Sequence, residues 1–211
     1  MVGATAPPVS STLEPAILMI ENDQQLSDAV IRVSTDLQDI QNYLGQGNHQ
    51  DAKVRFPRGF IRTAANFRQR FHFLNDEVLK RNVAYTLILS DVYRWLLNRT
   101  DISRTAKEMI IKEGICLVGS ICESVTKDAL TGVVSKKKGY KDRTKYLLDN
   151  GIIDEELKIE LDWVWDTRNN EHLFLVEIRE HEHYRLADYN RAILALRKVR
   201  DQLDDYLTPP F

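Results

Sequence analysis

The chain has 211 residues, 43% of them apolar and 28% charged, with a formal net charge of −2. This is ordinary globular usage and excludes wholesale disorder. It also removes any global attraction to nucleic acid, so a polyanionic partner would need a local basic patch.

The length suffices for one domain with a substantial core, or for a helical domain with an N-terminal extension. Nine glycines and six prolines are few, and four of the prolines lie at the extreme ends, which favours helices across the interior. Cys116 and Cys122 are six residues apart, roughly 240° around a helix, so they form neither a local disulfide nor a metal pair. Free thiols in an apolar stretch suit a reducing compartment. The start MVGATAPPVSS has no basic, apolar leader, and no apolar run approaches the roughly 20 residues of a membrane span. A cytoplasmic protein without a membrane partner is expected.

Taken in chain order, residues 1–12 read as a flexible arm, small and Pro-rich. Residues 13–100 read as a helical region packing on a bundle that occupies 101–207. A short apolar helix is predicted around Pro15–Ile20. Leu26, Val30, Val33, Leu37, Ile40 and Leu44 then alternate at four and three, a narrow heptad seam ended by Gly45 and Gly47. Such a seam needs a partner helix, from within the chain or from a second copy. After a loop closed by Pro57, the pattern predicts a helix from Ile61 to Leu79 and a second stripe at Ala84, Leu87, Ile88, Val92, Trp95 and Leu96. A break at 100–103 precedes a long helix with its stripe at Ile110, Gly114, Leu117, Ile121, Val125 and Ala129, where Gly114 permits close helix contact. A helix at Asp142–Leu148 ends at Asn150-Gly151, which suits a left-handed cap. Asp154 caps the next helix, and a final one carries Leu186, Tyr189, Ile193, Leu196, Leu203 and Leu207. The fold class is all-α, a helical bundle.

The helix after Asp154 departs from simple amphipathicity. Its stripe Leu157, Leu161, Val164 and Trp165 runs at the same spacing into Arg168 and His172. A charged group at the edge of an apolar face must find a partner, water or a ligand, and neighbouring Asp166 and Glu171 are candidate partners.

The stretch GYKDRTKYLLDNGIIDEELKIELDWVWDTRNNEHL resembles the second half of a HEPN domain: a basic helix with an apolar pair, a glycine turn, an acidic helix, then an Arg-Asn…His motif. The preceding EGICLVGSICESVTKDAL is similar to the long central helix of that bundle, so the likeness covers roughly 104–207. The resemblance implies a metal-independent endoribonuclease of the toxin or defence type, needing no cofactor, with Arg168 and His172 of two protomers at one cleft. Arg168 would hold the scissile phosphate and His172 would move a proton. Asn169 would orient the phosphate, and Glu171 would tune the histidine. RNA would be the substrate, a homodimer the working form, and a cognate antitoxin or other protein a further partner. The Arg–His interval is three residues, shorter than the family's usual motif. At i, i+4 both side chains still share a helix face. The alternative is a non-catalytic HEPN-like interaction or nucleotide-binding module.

Two basic stretches compete for an RNA role. Residues 53–81 hold eight basic residues against two acidic, a net of +6, with phenylalanines interleaved. Arg55, Arg58, Arg62, Arg68 and Arg70 would hold phosphates while the rings stack bases, or the rings face a core and the arginines face solvent. Residues 127–145 net +5 and include the loop lysines Lys136, Lys137 and Lys138. Against these, 149–188 nets −8, an acidic run around the candidate site that would repel RNA. His181 and His183 lie two apart and would diverge on a helix, so they make no metal site.

Overall fold

The computed structural model describes residues 19–135, 137–169 and 184–208. Among these the chain is all-α, with seven helices and no strand. No helix among them is long and apolar enough to cross a membrane. The arm expected at 1–12, most of the helix expected at Pro15–Ile20, Lys136, Glu171, His172, His181 and His183 lie outside the described residues. Met19 and Ile20 are described and are not helical.

The chain divides into two compact units, residues 1–56 and 57–211. The first contains α1 (Asp23–Leu44). Asn22 starts it by accepting the N–H of Gln25, and Gly45 ends it at φ 55°, a left-handed angle that glycine adopts without steric cost. The heptad seam forms as one continuous helix, yet Leu26, Val30, Val33, Leu37 and Ile40 are all at least 40% exposed.

The second unit holds α2 (Ala64–Arg70), α3 (Glu77–Arg99), α4 (Arg104–Ala129), α5 (Tyr140–Asp149), α6 (Glu155–Asn169) and α7 (Leu186–Leu207). Its central element is α4, which contacts α3, α5, α6 and α7. From Ile111 onward α4 is buried around most of its circumference: Ile115, Val118 and Cys122 are as inaccessible as Gly114, Ile121, Val125 and Ala129 of the expected stripe. A helix surrounded by neighbours has no solvent face to keep polar. Val83, Ala84, Leu87 and Leu97 of α3 belong to this same core.

The expected helix from Ile61 to Leu79 is instead two helices. Thr63 and Asn66 form a capping box that starts α2. The Asp76 carboxylate accepts the N–H groups of Val78 and Leu79 and starts α3. Between them Phe71, Phe73 and Leu74 are buried, and the Asn75 N–H is taken by Asp128 at the end of α4. Local capping and tertiary burial together outweigh the helical spacing. Elsewhere the expected caps form: Gly151 has φ 67°, and Asp154 accepts the N–H of Leu157 at 2.7 Å.

Gly114 performs the close approach its position suggested. A Cβ there would lie 2.7 Å from the Tyr189 ring of α7. The ring lies over the backbone of α4, and its hydroxyl meets the Ser90 hydroxyl of α3 at 2.6 Å and donates to the Ser90 carbonyl oxygen at 3.2 Å. Three helices meet at one side chain. Gly114→Ala is therefore expected to destabilise the unit by about 1–3 kcal/mol through overpacking, despite alanine's better helix propensity. Chemical denaturation checks this; an unchanged or raised midpoint would refute the close-packing account.

Cys116 and Cys122 are both buried, and neither forms a disulfide. Burial pushes the Cys122 thiol up to about 12, so almost no thiolate forms at neutral pH. In native protein at pH 8, Cys122 should resist a thiol-specific reagent and react only on unfolding; labelling of Cys122 within minutes would contradict the packing.

Candidate functional site

α6 points its last turn at α4 and α5. Leu157, Leu161 and Val164 are fully buried, and one turn further the same face presents Arg168, whose side chain is 30% exposed. The approach is tight: a Cβ at Gly119 of α4 would lie 3.0 Å from the Arg168 Cβ. The guanidinium sits 4.8 Å from the centre of the Trp165 ring, and Trp165 stacks on Tyr140 of α5 at 4.7 Å. A cation over two stacked rings keeps a defined orientation while its outer edge stays open.

Among the described residues the partner of Arg168 is Glu123 of α4, at 3.4 Å, and not Asp166. Asp166 turns instead to Lys141 of α5, at 2.7 Å. Glu123 is shared, because Arg143 of α5 approaches it at 3.8 Å. Arg143 is nearly buried and also donates to the Lys138 carbonyl oxygen at 2.8 Å, tying down the loop that carries Lys137 and Lys138. Two guanidiniums thus share one carboxylate, which leaves positive charge at this junction. Among the described residues, the Tyr140 hydroxyl and the Arg143 Nε are buried without a hydrogen-bond partner. Burial, above all, raises the Tyr140 phenol well above its ordinary range, so it stays protonated. Neither Arg143 nor Tyr140 stood out in the sequence as part of a site.

Asn169 is half-buried as the last residue of α6, beside Arg168. Part of the acidic run expected to repel RNA is paired among the described residues. Glu156 meets Lys198, Glu160 meets Arg191, Asp162 meets Lys158 and Asp166 meets Lys141. These basic partners come mostly from α5 and α7, which the linear charge count kept apart.

The stretch 53–81 divides by side-chain type. Phe67, Phe71 and Phe73 are buried in the core, so these rings cannot stack bases. Arg55 and Arg58 are exposed in the loop, and Arg68 is half-buried on α2. Arg62 turns inward. Its Nη2 and Nε donate to the Asp91 carboxylate at 2.6 and 3.0 Å, and its backbone N–H donates at 3.0 Å. Arg70, in the last turn of α2, is exposed and borders a cleft against α3 and α7. The structure therefore brings Arg168 and Asn169 together, and Arg62 and Arg70 together at another place.

Compared with protein-family models, with curated proteins and with solved structures, the chain matches none.

Asp91 is almost fully buried, which by itself would raise its carboxyl; the hydrogen bonds from Arg62 and the charges of Arg62 and Arg94 outweigh that and hold it below its ordinary value. A depressed carboxylate contributes stability that is complete above the unfolded value, about 4, and is lost as pH falls through the folded value. Asp91→Asn should cost about 1–3 kcal/mol at pH 7, the scale of hydrogen bonds to a charged group. The difference from wild type should shrink toward pH 3. Urea titrations at the two pH values test this, and a gap that widens in acid would contradict it.

Proposed function

We propose that this chain is a HEPN-like, metal-independent endoribonuclease, with Arg168 and His172 acting on the RNA backbone. The observation that carries the reading is the posture of Arg168. It is fixed by Trp165 beneath it, it shares Glu123 with Arg143, and it remains partly open at the end of the helix that leads toward His172. The order of a long buried helix, a basic helix, a glycine turn and an acidic helix ending in Arg-Asn agrees with the resemblance. Pairing of Asp166, Glu160 and Glu156 by α5 and α7 weakens the electrostatic objection to an RNA substrate.

In this reaction the ribose 2′ oxygen attacks phosphorus and the bond to the 5′ oxygen breaks. The products are a 2′,3′-cyclic phosphate and a 5′ hydroxyl. Arg168 grips the non-bridging oxygens with a planar fork. His172 takes the proton from the 2′ hydroxyl or delivers one to the leaving oxygen. RNA cleavage should persist in a chelator, spare DNA and leave the cyclic end. His172→Ala should lose about 10²–10⁴-fold, the usual contribution of positioned acid–base catalysis, and Arg168→Lys should also be impaired. Both variants must keep wild-type melting behaviour. If diverse RNAs stay intact, or His172→Ala cleaves as fast as wild type, the nuclease reading is wrong.

A second reading, a non-catalytic HEPN-like interaction or nucleotide-binding module, is favoured by the Glu123 contact, which already supplies Arg168 with an anion. Glu123→Gln separates the two. Under the nuclease reading it frees Arg168 and tightens RNA binding; under the second it weakens the fold without changing affinity for RNA.

The working form we propose is a homodimer. The seam of α1 alternates at four and three and is exposed along its length, which suits the same seam of a second copy. Light scattering at micromolar concentration should give twice the chain mass, and Val30→Glu with Val33→Glu should give the monomer. A wild-type monomer would remove the two-protomer site.

A further inference from the structure

A second concentration of arginine lies where α2, α3 and α7 meet. Arg62, Arg70, Arg94, Arg197 and Arg200 line one cleft, floored by Phe67, Phe71, Leu87 and Leu196. Among the described residues, two carboxylates are paired with any of the five. Asp91 takes Arg62 at 2.6 Å and lies 3.6 Å from Arg94; Asp201 takes Arg200 at 2.5 Å. Arg70 and Arg197 have no hydrogen-bond or ion-pair partner among the described residues. The surplus is three positive charges, held within one cleft of a chain whose net charge is negative.

Like charges are not gathered at random on a stable surface, because their repulsion opposes folding. Burial first, then the charges of Arg94, Arg62, Arg200 and Arg70, lower the Arg197 guanidinium from its ordinary value. The four neighbours are thus close enough to oppose its charge. The floor is apolar, which strengthens the interaction of the rim with an anion. The cleft offers about 30 Å³, where one water needs roughly 10–15 Å³. That is room for about two waters, the scale on which the oxygens of one phosphate group would enter from the open side.

We propose that this cleft is a binding site for one phosphate monoester or free phosphate dianion. Arg70 and Arg197 supply the free guanidiniums, and Asp91 positions Arg62 and Arg94 beside them. The dianion offsets two of the three surplus charges, and guanidinium forks match its oxygens. The site shares no residue with the Arg168 cluster and does not rest on the nuclease reading. The same chemistry could come from free phosphate or from the 5′-phosphate of an RNA strand.

The test uses the full chain and inorganic phosphate. At constant ionic strength, 10 mM phosphate should raise the melting temperature by at least about 3 °C, as a ligand of the folded state does. The double variant Arg70→Gln/Arg197→Gln should lose that rise while melting without phosphate at or above the wild-type temperature, since it removes repulsion. Arg168→Ala should keep the full rise. No rise in wild type, or an undiminished rise in the double variant, overturns the proposal. Two 2′-O-methyl oligonucleotides, which cannot be cut at the 2′ position, then identify the source. At least tenfold tighter binding of the 5′-phosphorylated strand than of its 5′-hydroxyl twin assigns the cleft to an RNA end. Equal binding, with the phosphate shift intact, assigns it to a small phosphate.

Discussion

Tyr189 crosses α4 at the one residue in that turn without a side chain, and its hydroxyl ends on Ser90 of α3. The contact sets α3 and α7 against the same part of α4. Much of the second unit follows from that placement. Ser90 is followed by Asp91, which draws in Arg62 and with it the chain leading into α2. Arg94 stands one turn beyond Ser90 on α3, while Arg197 and Arg200 stand two and three turns beyond Tyr189 on α7. The arginine cleft is therefore assembled by an apolar packing event some turns away. Its arginines by themselves would push it apart, and Asp91 ties Arg62 and Arg94 into it.

Both polar clusters use one device. A single carboxylate stands between two guanidiniums, Glu123 between Arg143 and Arg168, and Asp91 between Arg62 and Arg94. A buried acid with two cationic partners is satisfied as an acceptor, while the cations keep a net charge. Fixed rotamers with residual positive charge are what an anion needs, because the ordering cost is met before it arrives. The clusters differ in their acid: Asp91 is almost fully buried, whereas Glu123 is about one-third exposed. Arg62 is accordingly held more firmly than Arg168, whose looser contact leaves it the more exchangeable of the two.

Periodicity made the all-α class legible, along with the course of α1, α4 and α7, because a long helix repeats its burial pattern several times. The caps at Gly45, Gly151 and Asp154 were legible for a different reason: backbone angle and N–H capture are local chemistry. The region 61–79 was not. Its phenylalanines recur at helical spacing, and only their burial in the core, with Asp76 and Asp128 claiming the local N–H groups, splits it into two helices.

The candidate site was half legible. Arg168 at the end of an apolar stripe is a pattern within one helix, so the sequence by itself determined that it would stand at the edge of the core. It also determined that Gly114 would carry a close contact, since glycine inside a long helix has a local cost that tertiary packing must offset. Only the tertiary structure decided the partners. Glu123 lies 45 positions from Arg168, and Asp91 lies 29 from Arg62 and more than 100 from Arg197. Charge along the chain decays with sequence distance in the unfolded state, but in the fold it acts through space. Several acids of one run find basic partners on α5 and α7 that the linear order keeps apart, and arginines scattered from position 62 to position 200 become one cleft.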